Sequence, residues 1–274
     1  MVNNENTLFN NFCETIETHE LLSATKRLIF CFSGGKDATI GLYFLRKYLE
    51  ENKIGIKLHV IMVLFPKHVY FDANNEHIEL DRVIEYWKSQ GIHIDVLQVS
   101  REDIDLSKSN PCKFCKEARK EKIDKYLSTN EYVNDSTTLV TGYTLYDAIA
   151  YVSEICLRSD FLNKSVTSNR IAACLHKMRP LEVLPSGMRL IRPLIRMDEC
   201  LIKKFLEENR IPYVSQGCTA SVQKHKRLYF EALKSLKGEI TISYEGLIAF
   251  LNKNSIFLPE TFENMNMSYG FTDC

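Results

Sequence analysis

Residues 27–45 read RLIFCFSGGKDATIGLYFL, in which an apolar run is followed by two glycines and then by apolar residues at helical spacing. This order predicts a buried strand, a tight loop and a helix. Backbone N–H groups at the start of a helix bind phosphate, and the lack of side chains at Gly34 and Gly35 leaves room for the anion. The stretch therefore predicts a phosphate-binding loop after the first strand, with an ordinary tight turn as the alternative.

Strands and helices alternate along the rest of the chain. We expect strands at 27–32, 58–64, 94–99, 138–141 and 190–196. We expect helices at 5–23, 75–90, 198–209, 220–235 and 244–253, with one after the glycines and another from Tyr146. Such an order predicts an α/β fold in which a parallel sheet is sandwiched by helices, with a helical C-terminal part.

The length of 274 residues fits one main domain with small additions. We expect an N-terminal helix in 1–24, the main α/β domain in 25–200 and a helical C-terminal part in 201–274. That last part contains Cys218.

Charge and cysteine content restrict the protein class. Lys plus Arg and Asp plus Glu both number 35, so the chain lacks the overall basic charge of many nucleic-acid binders. The first residues do not resemble a signal peptide, and no stretch approaches the roughly 18 apolar residues of a membrane span. We expect a soluble, cytoplasmic protein. Nine cysteines, an odd number, favour reduced thiols or metal ligands over a disulfide framework.

The side chains of the glycine loop suit a nucleotide. Ser33 and Thr39 offer hydroxyl donors, Lys36 offers a positive charge, and Asp37 offers a carboxylate for a Mg²⁺ ion that bridges phosphates. Neither GxxxxGK[ST] nor GxGxxG is present, so this is neither a Walker loop nor a dinucleotide fingerprint.

The sequence SGGKDA at 33–38 resembles the SGGxDS signature of the PP-loop ATP pyrophosphatases, which cleave ATP between its α- and β-phosphates. The resemblance implies a HUP-like, Rossmann-like domain that uses ATP and Mg²⁺. One residue departs from the signature, because Ala38 stands where the family has its final serine. The neighbouring Thr39 only partly replaces that hydroxyl.

Three cysteines form a second candidate site. Cys112 and Cys115, in PCKFC, lie one turn apart near a predicted helix start, and Cys218 follows about a hundred residues later. Spacing alone leaves several uses open. These are a [4Fe-4S] cluster, a zinc site completed by His225, a persulfide or redox pair, and unconnected cysteines.

The cysteine segments resemble the tRNA 2-thiocytidine synthetases. Three segments occur in that family's order: PCKFCKEARKEKI at 111–123, RPLI at 192–195 with Asp198 and Glu199 after it, and CTASVQKHKR at 218–227. The likeness runs from about 25 to 235 and implies a [4Fe-4S] cluster held by Cys112, Cys115 and Cys218. It also implies the reaction: ATP adenylates a nucleobase carbonyl, sulfide at the open iron attacks the carbon, and AMP leaves.

After the predicted fourth strand, the chain reads GYTLYD at 142–147, where the family usually has GHxxDD. The resemblance implies a nucleotide contact for Gly142 and a role as magnesium ligand or proton acceptor for Asp147. A helix-capping role is the alternative for Asp147. Tyr143 and Tyr146 suit stacking on a base. These changes make a free nucleotide, as in thioguanine-type nucleobase thiolation, a candidate substrate beside a tRNA base.

The basic residues bear on possible partners. Residues 113–125 hold six Lys or Arg against three Asp or Glu, and 224–227 add a second basic cluster. Both could hold an RNA backbone or be solvated helix faces. Arg179 and Arg192, each followed by proline, suit either substrate phosphate or packing. A sulfide or persulfide donor protein is an expected partner, no membrane contact is expected, and a homodimer is a candidate assembly.

Two other functions use the same loop. One is an amide-forming or lysidine-type ligase, in which a nitrogen nucleophile attacks the adenylate and no cysteine triad is needed. The other is an ATP- or metal-sensing protein that does not turn over.

Overall fold

A central sheet organises the chain, and a computed structural model describes residues 4–65, 78–99, 111–157, 176–215, 235 and 243–253. The strands are β1 (Arg27–Cys31), β2 (Lys57–Leu64), β3 (Ile94–Gln98), β4 (Thr137–Val140), β5 (Leu181–Val183) and β6 (Arg189–Ile191). The helices are α1 (Asn4–Thr18), α2 (Lys36–Glu51), α3 (Ile78–Ser89), α4 (Pro111–Thr129), α5 (Leu145–Leu157), α6 (Glu199–Glu208) and α7 (Tyr244–Lys253). None of these helices is both long and apolar enough to cross a membrane.

The six strands lie in the order β3-β2-β1-β4-β6-β5. All neighbours are parallel except β5 and β6, which are antiparallel. The predicted α/β sheet is thus confirmed as mostly parallel, while the edge strand β5 was not predicted. It is only three residues long, Leu181–Val183, which is too short for an alternating pattern to indicate a strand.

Other element boundaries differ from the sequence prediction at proline and at turns. The strand expected at 190–196 ends at Ile191, because Pro193 lacks an N–H and residues 192–197 form consecutive turns. The helix expected at 5–23 ends at Thr18, and the turn after it includes Glu20 with a φ of 46°. The helix expected at 220–235 lies outside the described residues apart from residue 235.

The larger core lies on one face of the sheet, where α1, α2, α3 and α6 pack against β1 and β2. Aromatic rings join three of these helices: the ring centroids of Phe12 and Phe44 are 5.8 Å apart, and those of Phe44 and Phe205 are 5.4 Å apart. Residues on both sides of the predicted boundaries at 25 and 200 therefore share one core. On the opposite face, α4 buries Ala118, Ile123 and Leu127 against the sheet.

The chain leaves β1 and β4 in opposite directions, since α2 leads from β1 to β2 while α5 leads from β4 toward β6. A crevice therefore opens between the carboxyl ends of β1 and β4. In open α/β sheets, ligands bind at this kind of topological switch point. The glycine loop at 33–35 and the loop at 141–144 line the two sides of this crevice.

Candidate functional site

Gly34 gives the glycine loop its shape. Its φ of +75° is a left-handed conformation that favours glycine, and a Cβ at this position would lie 3.2 Å from Cγ2 of Val214. The Gly34 carbonyl accepts a 2.8 Å hydrogen bond from the Val214 N–H. The loop therefore needs glycine here both for its backbone angle and for the close approach of a distant segment.

Gly35 caps the amino end of α2 without a side-chain hydrogen bond. Its carbonyl accepts from the Thr39 N–H at 2.9 Å, which begins the helical pattern. Since glycine has no side-chain oxygen to accept from them, the backbone amides of the first turn stay available to an anion. The neighbouring Ser33 is exposed. This arrangement matches the predicted phosphate site.

Lys36 links the loop to α6 through two carboxylates. Its Nζ lies 2.8 Å from Oδ2 of Asp37 and 2.9 Å from Oε1 of Glu199. The sequence did not single out Glu199 as a site residue, although it follows the RPLI segment. The signal that could have indicated this role is the acidic pair Asp198 and Glu199 at the start of a predicted helix.

Burial and neighbouring charges shift the titration of this cluster. Burial raises the pKa of Asp37 to about 6, with the charges of Asp147 and Glu199 adding to the effect and Lys36 opposing it. Burial alone would lower the pKa of Lys36, but Asp37 and Glu199 outweigh burial and raise it above its usual value. Among the described residues, the Lys36 ammonium thus lies between the carboxylates of Asp37 and Glu199, and the charge of Asp147 also acts on Asp37.

Asp147 has a structural role at the start of α5. Its Oδ2 accepts from the Thr144 N–H at 3.1 Å and lies 3.4 Å from the Thr144 hydroxyl. Thr144 precedes the helix and Asp147 is its third residue, so the two form a capping-box arrangement. Because Asp147 also raises the pKa of Asp37, its charge lies close to the glycine loop.

Gly142 lets the two loops touch. A Cβ at this position would lie 3.0 Å from the Ala38 N and 3.2 Å from the Asp37 carbonyl carbon, closer than ordinary van der Waals contact. The need for glycine here is therefore explained by backbone packing between the β4 loop and α2. The crevice brings together seven residues predicted for the nucleotide site: Ser33, Gly34, Gly35, Lys36, Asp37, Gly142 and Asp147.

Three predicted ligand contacts are not supported by the structure. Thr39 is fully buried and its hydroxyl lies 3.5 Å from the Gly34 carbonyl, so it shapes the loop and does not face a phosphate. Tyr143 and Tyr146 are also buried, which removes the expected stacking on a base. The Tyr143 ring stacks instead on Tyr151, with hydroxyl oxygens 2.8 Å apart.

Arg192 is a packing residue and not a phosphate ligand. It is 1% exposed, and its Nη2 donates to Oε2 of Glu182 at 2.7 Å. Its Nη1 donates to the Arg179 carbonyl at 3.0 Å. The buried pair ties the end of β6 to the edge strand β5.

The cysteine site is only partly described. Cys112 lies in the first turn of α4, but its side chain, together with Cys218 and His225, lies outside the described residues. Cys115 is half-buried and packs against the core under α4. In the part of the chain that the structure describes, no three His, Cys, Asp or Glu side chains are grouped to hold a metal ion.

The segment after α6 is attached to the glycine loop and to α3. Val214 pairs with Gly35 in a single parallel bridge. The next residue, Ser215, donates from its N–H and hydroxyl to the Glu79 carboxylate at 3.0 Å and 2.7 Å. Ser215 is three residues before Cys218 in the sequence.

The basic stretch on α4 is mixed in charge. Lys116 and Lys125 are exposed, but so are Glu117 and Glu121 on the same helix. This arrangement matches the solvated-face interpretation at least as well as RNA binding. The second basic cluster, at 224–227, lies outside the described residues.

Comparison with known proteins places the fold and the glycine loop. A family model described as a PP-loop domain matches residues 4–228. No curated protein matches the chain. Among solved structures, the U34-tRNA thiolase NcsA from Methanococcus maripaludis, with its [4Fe-4S] cluster, has a TM-score of 0.66 at 15% identity, covering 98% of this chain and 84% of that chain. The NH3-dependent NAD synthetase from Campylobacter jejuni has a TM-score of 0.46 at 11% identity, covering 96% and 100%.

At such low identity, the likeness to the thiolase is a likeness of fold. The family match shows the family, because it spans residues 4–228, well over half of the chain, and includes both the glycine loop and the crevice. The chain therefore belongs to the PP-loop domain family, and it is an ATP-dependent enzyme that binds ATP through its PP-loop.

Proposed function

We propose that this protein is an ATP-dependent sulfurtransferase that adenylates a nucleobase carbonyl and replaces its oxygen with sulfur. In the first step the carbonyl oxygen attacks the α-phosphorus of ATP, an O–P bond forms and pyrophosphate leaves. In the second, sulfide attacks the activated carbon, the C–O bond breaks and AMP leaves. Sulfur enters at the oxidation level of sulfide, so the exchange needs no oxidant or reductant.

One observation carries the proposal: the CxxC helix starts at the same edge of the sheet as the PP-loop. Cys115 packs against the core that includes Phe65 and Val99, which directly follow β2 and β3. Arg119, one turn after Cys115, holds its guanidinium carbon 5.5 Å from the centroid of the Phe65 ring. The PP-loop follows β1 at the same edge, so the starts of α2 and α4 lie at one end of the sheet, on its two faces. This shared end supports a thiol site near the ATP site.

The anchored segment at 214–215 gives further support. Its hydrogen bonds to Gly34 and Glu79 hold it against the PP-loop and the start of α3. The chain from Ser215 to Cys218 is three residues long, and three residues span at most about 11 Å. The chain that leads to Cys218 is therefore attached beside the PP-loop at residue 215, which supports a role for this cysteine together with Cys112 and Cys115.

The chain's own residues would position ATP. The first-turn amides of α2 and the Lys36 ammonium would bind phosphate oxygens, while Asp37 and Asp147 would hold Mg²⁺. Burial raises the pKa of Asp37 to about 6, so its charged form is less favourable here than in water even with Lys36 beside it. A carboxylate of this kind gains most from a metal ion, because the ion stabilises its charged form.

The thiol donor set fits an iron-sulfur cluster. A [4Fe-4S] cluster held by three thiolates leaves one iron without a protein ligand, which supplies a place for exogenous sulfide. Cys112 and Cys115 are three residues apart on α4 and therefore lie on one face of the helix. Cys115 itself is half-buried against the core under α4.

The proposed substrate is a nucleobase with a carbonyl next to a ring nitrogen, carried either by a free nucleotide or by tRNA. Both sources present the same carbon and oxygen to the site, and one experiment separates them. The protein is purified without oxygen and its iron content and absorption spectrum are recorded. It is then incubated with Mg-ATP, sulfide and either bulk tRNA or GMP and CMP, and thiolated products are identified by mass spectrometry.

We expect one AMP and one pyrophosphate for each sulfur incorporated, and we expect Cys112→Ser and Cys115→Ser to abolish thiolation. Cys13→Ser is the matched control, since Cys13 is half-buried on α1, away from this edge of the sheet. Full activity of the Cys112 and Cys115 variants with an amine acceptor would favour the nitrogen ligase instead. ATP binding without any pyrophosphate release would favour a sensor.

A further inference from the structure

Glu199 reaches the PP-loop from a part of the chain more than 160 residues away. It is the first residue of α6, and its Oε1 lies 2.9 Å from the Nζ of Lys36. Its side chain is 12% exposed and that of Lys36 is 22% exposed. The two charges therefore meet largely out of contact with water, where an ion pair depends strongly on geometry.

The position of Glu199 is fixed by the core beneath it. Asp198 caps α6 by accepting from the Cys200 N–H at 2.8 Å, and the positive end of the helix dipole favours a carboxylate in the first turn. One and two turns later, Ile202 and Phe205 are buried, and the Phe205 ring lies 5.4 Å from that of Phe44 on α2. Since α2 begins at Lys36, the same two helices hold both members of the ion pair.

We propose that Glu199 is a positioning residue for ATP binding, which holds the Lys36 ammonium where it meets the phosphates of the nucleotide. Lys36 has two carboxylate partners in the structure, Asp37 and Glu199. Asp37 is the carboxylate expected to bind Mg²⁺ and thus to release the lysine when Mg-ATP is present. Glu199 stays on rigid α6 and keeps the ammonium at the loop. This inference rests on the ATP-binding part of the proposed function and does not depend on sulfur transfer.

The proposal predicts that Glu199→Gln changes ATP affinity in the direction opposite to the one expected from charge repulsion alone. A glutamate carboxylate near ATP repels the phosphates. If Glu199 acted only through this repulsion, Glu199→Gln would remove the charge and tighten ATP binding. A positioning role predicts weaker binding, because the lysine loses the partner that orients it. A hydrogen bond to a charged group contributes enough that the dissociation constant for Mg-ATP should rise roughly tenfold to a hundredfold.

The experiment measures Mg-ATP and Mg-AMP binding by calorimetry for the wild type, Glu199→Gln and Glu199→Asp. Glu208→Gln is the matched control: Glu208 lies on the same helix, is exposed, and has a lysine partner at 3.8 Å. We expect weaker ATP binding for Glu199→Gln, partial recovery for Glu199→Asp, unchanged binding for Glu208→Gln and little change for AMP. Circular dichroism checks that each variant is folded at the assay temperature.

A double-mutant cycle with Lys36→Met shows whether Glu199 acts through the lysine. If it does, Glu199→Gln has no further effect on ATP affinity once Lys36 is replaced. The double variant removes both charges of the Lys36–Glu199 pair. Equal or tighter ATP binding by Glu199→Gln would overturn the proposal, as would an undiminished effect in the Lys36→Met background. A wild-type protein that binds no Mg-ATP would instead overturn the proposed function itself.

Discussion

Replacing Gly142 by alanine tests whether the two loops of the crevice must touch for ATP to bind. The new Cβ would lie 3.0 Å from the Ala38 N, 3.2 Å from the Ala38 Cα and 3.2 Å from the Asp37 carbonyl carbon. Ordinary contact begins at 3.4 Å, and all three neighbours are backbone atoms, so the start of α2 or the β4 loop must move by a few tenths of an ångström.

The structure sets the size of the effect. Overpacking of this kind costs about 1–3 kcal/mol. Alanine also restricts the unfolded chain, which returns about 0.4–1 kcal/mol at a position whose φ is not left-handed. We expect Gly142→Ala to lower the free energy of unfolding by about 1–2 kcal/mol. Because the displaced backbone includes the first-turn amides of α2, which we propose bind phosphate, the dissociation constant for Mg-ATP should rise by about tenfold.

Urea unfolding and calorimetric titration with Mg-ATP measure the two effects. Gly55→Ala is the matched control, since a Cβ there meets no atom within 4 Å. The control should bind ATP like the wild type and be equally or slightly more stable. If Gly142→Ala matches Gly55→Ala in both stability and ATP affinity, the close contact between the loops does not shape the phosphate site.

Three further predictions concern stability and are tested by urea unfolding. Burial lowers the pKa of His176 to about 4, so the unfolded state binds a proton at a higher pH than the folded state does. The free energy of unfolding should therefore fall by up to about 3 kcal/mol as the pH drops from 6.5 to 4. His176→Gln should remove this pH dependence, and a variant with the same pH dependence as the wild type would refute the prediction. Glu182→Gln breaks the buried pair with Arg192 and should cost about 3–5 kcal/mol, whereas exposed Glu208→Gln should cost under about 0.5 kcal/mol; similar losses would contradict the pairing. Phe12→Ala should cost about 3–5 kcal/mol because its ring is fully buried between α1 and α2; a loss below about 1 kcal/mol would mean that α1 is a separable addition.

The sequence identified the elements whose local patterns are strong. The apolar run before Ser33 predicted β1 to within one residue of its observed bounds, and the helical spacing after the two glycines predicted a helix where α2 begins at Lys36. These are local signals, because strand burial, loop geometry and helix start depend on neighbouring residues. The antiparallel edge strand β5 left no such signal, since its pairing is set by β6 and by the turn at Gly187, which has a φ of +82°.

Side-chain roles were harder to predict, because they depend on burial that only the tertiary structure sets. Tyr143, Tyr146 and Thr39 carry groups that suit a ligand, yet all three are buried among protein atoms. Arg192 suits a phosphate equally well, but the unpredicted strand β5 supplies Glu182 as its partner. These differences have the same physical origin: a polar or aromatic side chain can find its hydrogen-bond and packing partners inside the fold as readily as on a substrate.

The PP-loop is held by three contacts from distant parts of the chain. The β4 loop presses Gly142 against the start of α2, the segment after α6 binds the Gly34 carbonyl through Val214, and α6 pairs Glu199 with Lys36. Two of these contacts involve residues between 199 and 215, close in sequence to the third candidate cysteine. Since Val214 donates to the Gly34 carbonyl and Glu199 pairs with Lys36, we expect occupancy of the PP-loop by ATP to be coupled to the position of residues 199–215, which precede Cys218 in the chain.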